Sequence, residues 1–240
     1  MAPRNPWETN ALDWVGWART PDHDSYWHFN RDAFFDLLPE PGRATLDVGC
    51  GEGRVARDLT TWGHRVTALD RSPTLIGFAK QADPTGRYLL GDAAALPFAD
   101  QTFDLVVAFN SLMDVEDMLG AVREIGRVLE SGGRLCLSVT HPINDAGSFS
   151  GDEPDAPFVI QGSYFGRRPF HGTFERAGLQ MTFEGWAYPL HEYGKALEEA
   201  GFLVERLGEP VPGPKVAARH PGYHKWQRVP MFLHLRAIRP

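Results

Sequence analysis

The sequence predicts a doubly wound α/β fold, and three observations carry that prediction. Apolar runs alternate with helix-like segments from residue 43 to 140. A glycine turn, L-D-V-G-C-G-E-G-R at 46–54, joins the first run to the first helix. Polar residues close the next three runs at Asp70, Asp92 and Asn110. In a doubly wound sheet the ligand lies outside the carboxyl ends of the strands, so these residues fall where a site is expected.

The elements follow in chain order. Residues 1–40 are aromatic-rich, and four of the seven tryptophans lie before residue 28. Trp7, Ala11, Trp14, Val15 and Ala18 recur at helical spacing. After Thr20-Pro21, Asp24 can cap a second helix carrying Tyr26, Phe29, Ala33, Phe34 and Leu37, which stops near Pro39. These helices pack onto the main domain, cover a ligand cleft, or do both.

Strands are predicted at 44–48, 65–69, 87–90, 103–109 and 134–140, and helices at 53–61, 72–81 and 114–129. The continuous Val, Leu and Ala runs are those of strands buried on both faces of a parallel sheet. Glu130-Ser131-Gly132-Gly133 marks a helix stop before the fifth strand. The pattern breaks down from 142 to 185, where Gly, Pro, Phe and Tyr mix without a period, as in a long lid or mobile insertion. A helix at 190–200, a strand at 202–206, a Pro/Gly loop at 209–222 and a last strand at 229–238 complete the chain.

Composition excludes several classes. A net charge of -7 argues against non-specific nucleic-acid binding, which needs a basic face. No apolar stretch approaches the ~20 residues of a membrane span, and the start lacks the apolar core of a signal peptide, so a cytoplasmic location is expected. Cys50 and Cys136 are expected to be reduced and buried, and no metal site is expected. His220 and His224 are four apart, but Pro221-Gly222 between them disfavours a helical ligand pair.

The glycine spacing separates two cofactor classes. A dinucleotide fingerprint would place a third glycine at 54, where Arg54 stands. Gly49, Gly51 and Gly53 instead make a tight turn that lets backbone approach a nucleoside. Asp70 can accept two hydrogen bonds from a vicinal diol. Asp92 can accept from an exocyclic amine while the Ala93 N–H reaches a ring nitrogen. Arg71 can lie over a purine face or in solvent.

Five segments then follow in order: L-D-V-G-C-G-E-G, A-L-D-R-S-P, G-D-A-A-A-L-P-F, F-D-L-V-V-A-F-N-S-L and V-L-E-S-G-G-R-L. This series resembles the successive motifs of class I S-adenosylmethionine-dependent methyltransferases. Within them it is similar to the small-molecule branch with the ubiquinone/menaquinone-type methyltransferase domain. The resemblance is strong over 40–141 and weaker over 188–206 and 229–238. It implies a Rossmann-like sheet of seven strands, mostly parallel with one antiparallel strand, and helices on both faces. It implies S-adenosylmethionine as cofactor and S-adenosylhomocysteine as product. Asp47, Gly49 and Gly51 would hold the methionine portion, Asp70 the ribose, and Asp92 and Ala93 the adenine. Asn110 and Ser111 would flank the methyl. Many relatives carry a His where this chain has Asp114, so a base at that position is in doubt.

The expected organisation is one domain over 1–240. It comprises an N-terminal helical lid (1–40), a cofactor-binding core (41–141), a substrate-side insertion (142–186) and a C-terminal helix with strands (187–240). A sulfonium methyl is already activated, so proximity supplies most of the acceleration. An oxygen nucleophile also gains from a base that titrates near the operating pH. His141, closing the fifth strand, is the candidate base, with a structural role before Pro142 as the competing reading. Tyr26, Trp27, His28, Asp114, Tyr164 and His191 are candidates for the substrate pocket. The expected activity is methyl transfer to an O or N atom of a small apolar or aromatic molecule. A cyclase or decarboxylase that uses the same cofactor is the alternative.

Overall fold

The computed structural model describes residues 5–240; the first four positions of the expected N-terminal lid lie outside them. The chain enters through α1 (Pro6–Thr9) and α2 (Ala11–Arg19), then a π-turn (Tyr26–Asn30) that runs into α3 (Arg31–Phe35). Asp24 does not cap this segment. Its carboxylate pairs with Arg54 at 2.9 Å, and the hydrogen bond to Trp27 N–H comes from its main-chain oxygen. A short, partly buried ion pair outcompetes a cap here.

The central alternation follows as β1 (Thr45–Val48), α4 (Arg54–Thr61), β2 (Val66–Asp70), α5 (Pro73–Ala82), β3 (Arg87–Leu90), β4 (Phe103–Phe109), α6 (Met118–Val128) and β5 (Leu129–Thr140). Two of these boundaries differ from expectation by more than one residue. The third helix starts at Met118, not at 114, because the Asp117 side chain caps it by accepting from Gly120 N–H at 2.9 Å. The fifth strand starts at Leu129, and the Ser-Gly-Gly stretch forms a register shift inside it, with Gly132 at φ +80°.

The segment expected to be irregular from 142 to 185 is built mainly of two hairpins. The first joins β6 (Gly147–Phe149) to β7 (Phe158–Ile160); the second joins β8 (Arg168–Arg176) to β9 (Leu179–Ala187). The second hairpin turns on Ala177-Gly178, both at positive φ (49° and 77°), the signature of a two-residue mirror-type turn. Ala at the first turn position hides that turn from a sequence reading. The chain ends through α7 (Leu190–Glu199), β10 (Leu203–Gly208), α8 (Pro214–Arg219) and β11 (Phe232–Ile238). Helix α8 thus occupies part of the expected Pro/Gly loop.

One seven-stranded sheet runs in the order β3-β2-β1-β4-β5-β11-β10. Strands β1 to β5 are mutually parallel, and β11 is antiparallel to both neighbours. Strand β4 shows why both faces are covered. Leu105, Val107 and Phe109 pack with Tyr26, Phe34, Val55 and Leu59, whereas Val106 and Ala108 pack with Val122, Ile125 and Leu197. Successive side chains point to opposite faces, so each face needs its own helical layer. Full burial of each such Leu or Val contributes about 1.5–3 kcal/mol. The N-terminal segment therefore supplies core through Tyr26, Phe34, Phe35 and Leu37. Both cysteines are buried free thiols. No helix among the described residues is long and apolar enough to cross a membrane.

Candidate active site

The strand order reverses between β1 and β4, and a cavity of about 1250 Å³ opens at the carboxyl ends of these strands. That exceeds the ~300–1,000 Å³ of a typical single-ligand pocket. Nine of the ten expected cofactor residues line it: Asp47, Gly49, Gly51, Asp70, Arg71, Asp92, Ala93, Asn110 and Ser111. The tenth, Gly53, stands behind the wall at the start of α4. It lies at φ +86°, and a Cβ there would come within 2.9 Å of the Tyr88 ring and 3.1 Å of Ala79 Cβ. Its role is close helix packing.

The glycine turn is held from below. Gly49 N–H and Cys50 N–H both donate to the Leu69 carbonyl, at 2.8 and 3.0 Å. Gly49 has φ +73°, and a Cβ would run into the Ser111 side chain. Ser111 in turn donates its hydroxyl to the Val48 carbonyl at 2.7 Å. The two carboxylate oxygens of Asp70 accept from Gly51 N–H and Ser72 N–H, each at 2.8 Å. Ser72 caps α5 by accepting from Leu75 N–H, so capping falls to Ser72 and Asp70 faces the cavity. Asn110 adopts φ +50° and accepts the Ser138 hydroxyl at 2.7 Å, which turns the chain off β4 toward the opening. Asp92 is exposed and accepts from Ala94 N–H at 2.9 Å, while Ala93 is buried.

These acids sit in a low-dielectric wall. Burial, reinforced by the charge of Asp70, pushes the Asp47 carboxyl up to about 7. Asp47 is 1% exposed, and its Oδ2 has no hydrogen-bond partner among the described residues. Burial raises Asp70 too, opposed mainly by its backbone N–H donors. Asp114 is pushed well above the carboxylate range by burial and then by Asp70. Asp145 is pushed up to about 7 by burial, with Arg168 opposing. An unpartnered buried carboxylate oxygen beside a positive-φ backbone cradle fits a ligand that brings its own donors and positive charge, as S-adenosylmethionine does.

Aromatic side chains close the other side. Trp7, Trp14 and Trp17 from α1 and α2 meet Phe183 from β9, with ring centroids 6.1–6.3 Å apart. Asn10 donates to the Thr182 carbonyl at 3.1 Å, tying α2 to the second hairpin. Arg19 and Arg57 both pair with buried Glu52 in the glycine turn, at 2.8 and 2.9 Å. The N-terminal helices therefore both pack and cover the cavity.

Of the expected pocket residues, Tyr26, His28 and Asp114 line the cavity. Trp27 does not; it faces a separate surface hollow with Arg54 and Asp58. Tyr164 turns away, its hydroxyl accepting from Leu190 N–H at 2.9 Å. His191 is exposed beside Glu192. His141 also lies outside the cavity lining. Its Nδ1 accepts from Ile143 N–H at 3.1 Å, and its Nε2 meets Glu209 at 2.9 Å. Burial lowers its pKa, and Glu209 opposes that. Both ring nitrogens are committed, so the structural reading of His141 is the one its geometry supports. Sequence reasoning missed Asp145, Arg176, Phe183, Trp186 and Tyr223, which line the cavity from the hairpins and the C-terminal turns. Their only signal was the H-P-I-N-D stretch that carries Asp145 just past β5.

Comparison with known proteins agrees with this geometry. Residues 46–137 match the methyltransferase domain family. A demethylmenaquinone methyltransferase of Renibacterium salmoninarum is 37% identical over 42% of this chain and 44% of its own length. The chain spans less than half the length of such curated relatives. An uncharacterized methyltransferase of Synechocystis is 30% identical over 71% of this chain and 72% of its own. The crystal structure of an S-adenosylmethionine-dependent methyltransferase from Mesorhizobium loti superposes with a TM-score of 0.74 at 26% identity, covering 91% of this chain and 99% of that one. With the glycine turn, the acids at successive strand ends and the seven-stranded sheet, these likenesses place the chain in the class I S-adenosylmethionine-dependent methyltransferases.

Proposed function

We propose that this chain transfers a methyl group from S-adenosylmethionine to an O or N atom of a small, apolar or aromatic molecule. The observation that carries the reading is one continuous cavity, polar at the strand ends and aromatic opposite, large enough for two molecules. The sulfonium supplies an activated methyl for in-line displacement. Asp47, Gly49 and Gly51 hold the methionine portion, Asp70 the ribose hydroxyls, and Asp92 with Ala93 the adenine. Arg71 borders the purine, and Asn110 and Ser111 flank the methyl. Gly53 supports the turn from behind. Trp7, Trp14, Tyr26, Phe183 and Trp186 exclude water and bring the acceptor close, which is where most of the acceleration arises. Asp145, pushed up to about 7, stands at the cavity as a proton acceptor for a protonated nucleophile, whereas Asp114, pushed well above the carboxylate range by burial, keeps its own proton and offers a hydrogen-bond donor. The chain acts as one domain in the cytoplasm, in small-molecule metabolism, without a nucleic-acid partner; a relative named for demethylmenaquinone supports the small-molecule acceptor.

Calorimetry with S-adenosylhomocysteine and label transfer from methyl-tritiated S-adenosylmethionine to a panel of phenols and amines test the reading. We expect binding, label in an acceptor, and one S-adenosylhomocysteine formed per methyl transferred. Asp70→Ala is expected to weaken cofactor binding about 10- to 100-fold, the scale of losing charge-assisted hydrogen bonds. Turnover of a substrate without S-adenosylhomocysteine formation would overturn methyl transfer in favour of a cyclase or decarboxylase reaction.

A further inference from the structure

A polar cluster on the wall of the same cavity, around the lining residue His28, has no role in the methyl transfer proposed above. Asp22 follows α2, His28 lies in the π-turn and His220 follows α8, so only the fold brings them together. One ligand atom from each lies within 4.8 Å of the other two. The His28 and His220 rings stack with centroids 4.0 Å apart at 29°. His28 Nε2 is 3.3 Å from Asp22 Oδ1 and 3.0 Å from the Asp22 main-chain oxygen, contacts a bound ion would replace, and the His28 side chain is only 4% exposed.

The atoms that face away from this convergence point have their own partners. His28 Nδ1 is 2.8 Å from the Tyr223 hydroxyl. Asp22 Oδ2 accepts from Arg219 at 2.6 Å. Asp22 is also held at φ +57°, a conformation rare outside glycine. Metal-ligating histidines and carboxylates are oriented in this way, by outer partners on the atom that does not ligate. Bonds of ~2.0–2.2 Å set such ligand atoms roughly 3.3 Å from one another, the separation already present between His28 Nε2 and Asp22 Oδ1.

We propose that Asp22, His28 and His220 bind one divalent transition-metal ion of the zinc class. Two imidazoles with one carboxylate favour zinc, cobalt or nickel over magnesium and calcium, which take all-oxygen sites. Three protein ligands leave a coordination position open. All three residues line the cavity, so that position takes an oxygen or nitrogen donor of the bound acceptor. The ion site stands apart from methyl transfer; its use by the acceptor rests on the reading given above.

The full chain, stripped with a chelator, is titrated with cobalt(II) while visible absorption is recorded, then with zinc and magnesium by calorimetry. The site predicts one cobalt per chain with visible bands, displacement by zinc, and no competition from magnesium. His28→Ala and His220→Ala are expected to abolish binding while the circular dichroism spectrum and S-adenosylhomocysteine binding stay unchanged. Asp22→Asn, at an exposed position, and Tyr223→Phe are each expected to weaken it about 10- to 100-fold. Absence of cobalt binding, or binding that survives Asp22→Asn and either histidine variant unchanged, overturns the site. Metal binding without methyl transfer to any acceptor supports the site and overturns only its use by the acceptor.

Discussion

Asp70 and His141 each close a strand, yet they face different surroundings. The carboxylate of Asp70 is anchored by two backbone N–H groups, at Gly51 and Ser72, and borders the cavity. His141 is anchored through both ring nitrogens, to Ile143 N–H and to Glu209. The difference is directional. A carboxylate has about four lone-pair sites and keeps some after two hydrogen bonds, whereas a neutral imidazole has one donor and one acceptor and is exhausted. His141→Ala is therefore expected to leave the pH profile of kcat/KM unchanged. It should lower stability by about 1–3 kcal/mol, because the Ile143 N–H loses its acceptor. A lost acidic limb in the profile, the fall in rate as pH drops through the histidine range, would restore His141 as a base.

At the scale of elements, the second hairpin carries Phe174, Arg176, Phe183 and Trp186 to the cavity, so its turn governs how well that wall is held. Ala177 occupies left-handed backbone at φ +49° with its side chain exposed. Glycine adopts that conformation without a Cβ penalty. Ala177→Gly is expected to stabilise the chain by about 1 kcal/mol, read as a raised urea midpoint at constant slope. A lowered midpoint would mean that the turn does not hold its two-residue form. This hairpin was illegible because Arg-Ala-Gly-Leu lacks the Asn-Gly or Asp-Gly pair that announces such turns. The alternation of β8 was hidden as well, since its faces meet solvent and a cavity instead of a packed core.

Across the whole molecule, β11 links the C-terminal end of the sheet to the N-terminal segment. His234 on β11 is 2% exposed, and its Nε2 lies 2.7 Å from Asn30 Oδ1 in the π-turn. Burial holds its pKa down at about 4, against 6.5 in an unfolded chain. Between those values the unfolded chain takes up a proton that the native state refuses. The stability present above 6.5 is thus lost as pH falls toward 4, by about 3 kcal/mol in all. Urea unfolding of the chain and of His234→Gln across this range checks the prediction. The natural chain should lose about 3 kcal/mol more than the variant; parallel profiles would show that His234 charges in place.

The order of strands and helices from 45 to 140 was readable in the sequence, and Asp47, Gly49, Gly51, Asp70, Asp92 and Asn110, which the sequence set at strand ends and in the glycine turn, do line the cavity. Local physics sets both. Doubly buried strands demand unbroken apolar runs, and tight turns demand glycine at positive φ. The remainder depends on contacts between distant segments. Whether Trp27 or Trp14 reaches the cavity depends on how α2 and the π-turn pack. Whether His141 or Asp145 faces it depends on the path of the chain after β5. The meeting of Asp22, His28 and His220 spans almost the full chain. Each of these outcomes is a direction in space, and side-chain direction follows from packing against partners that sequence spacing does not specify.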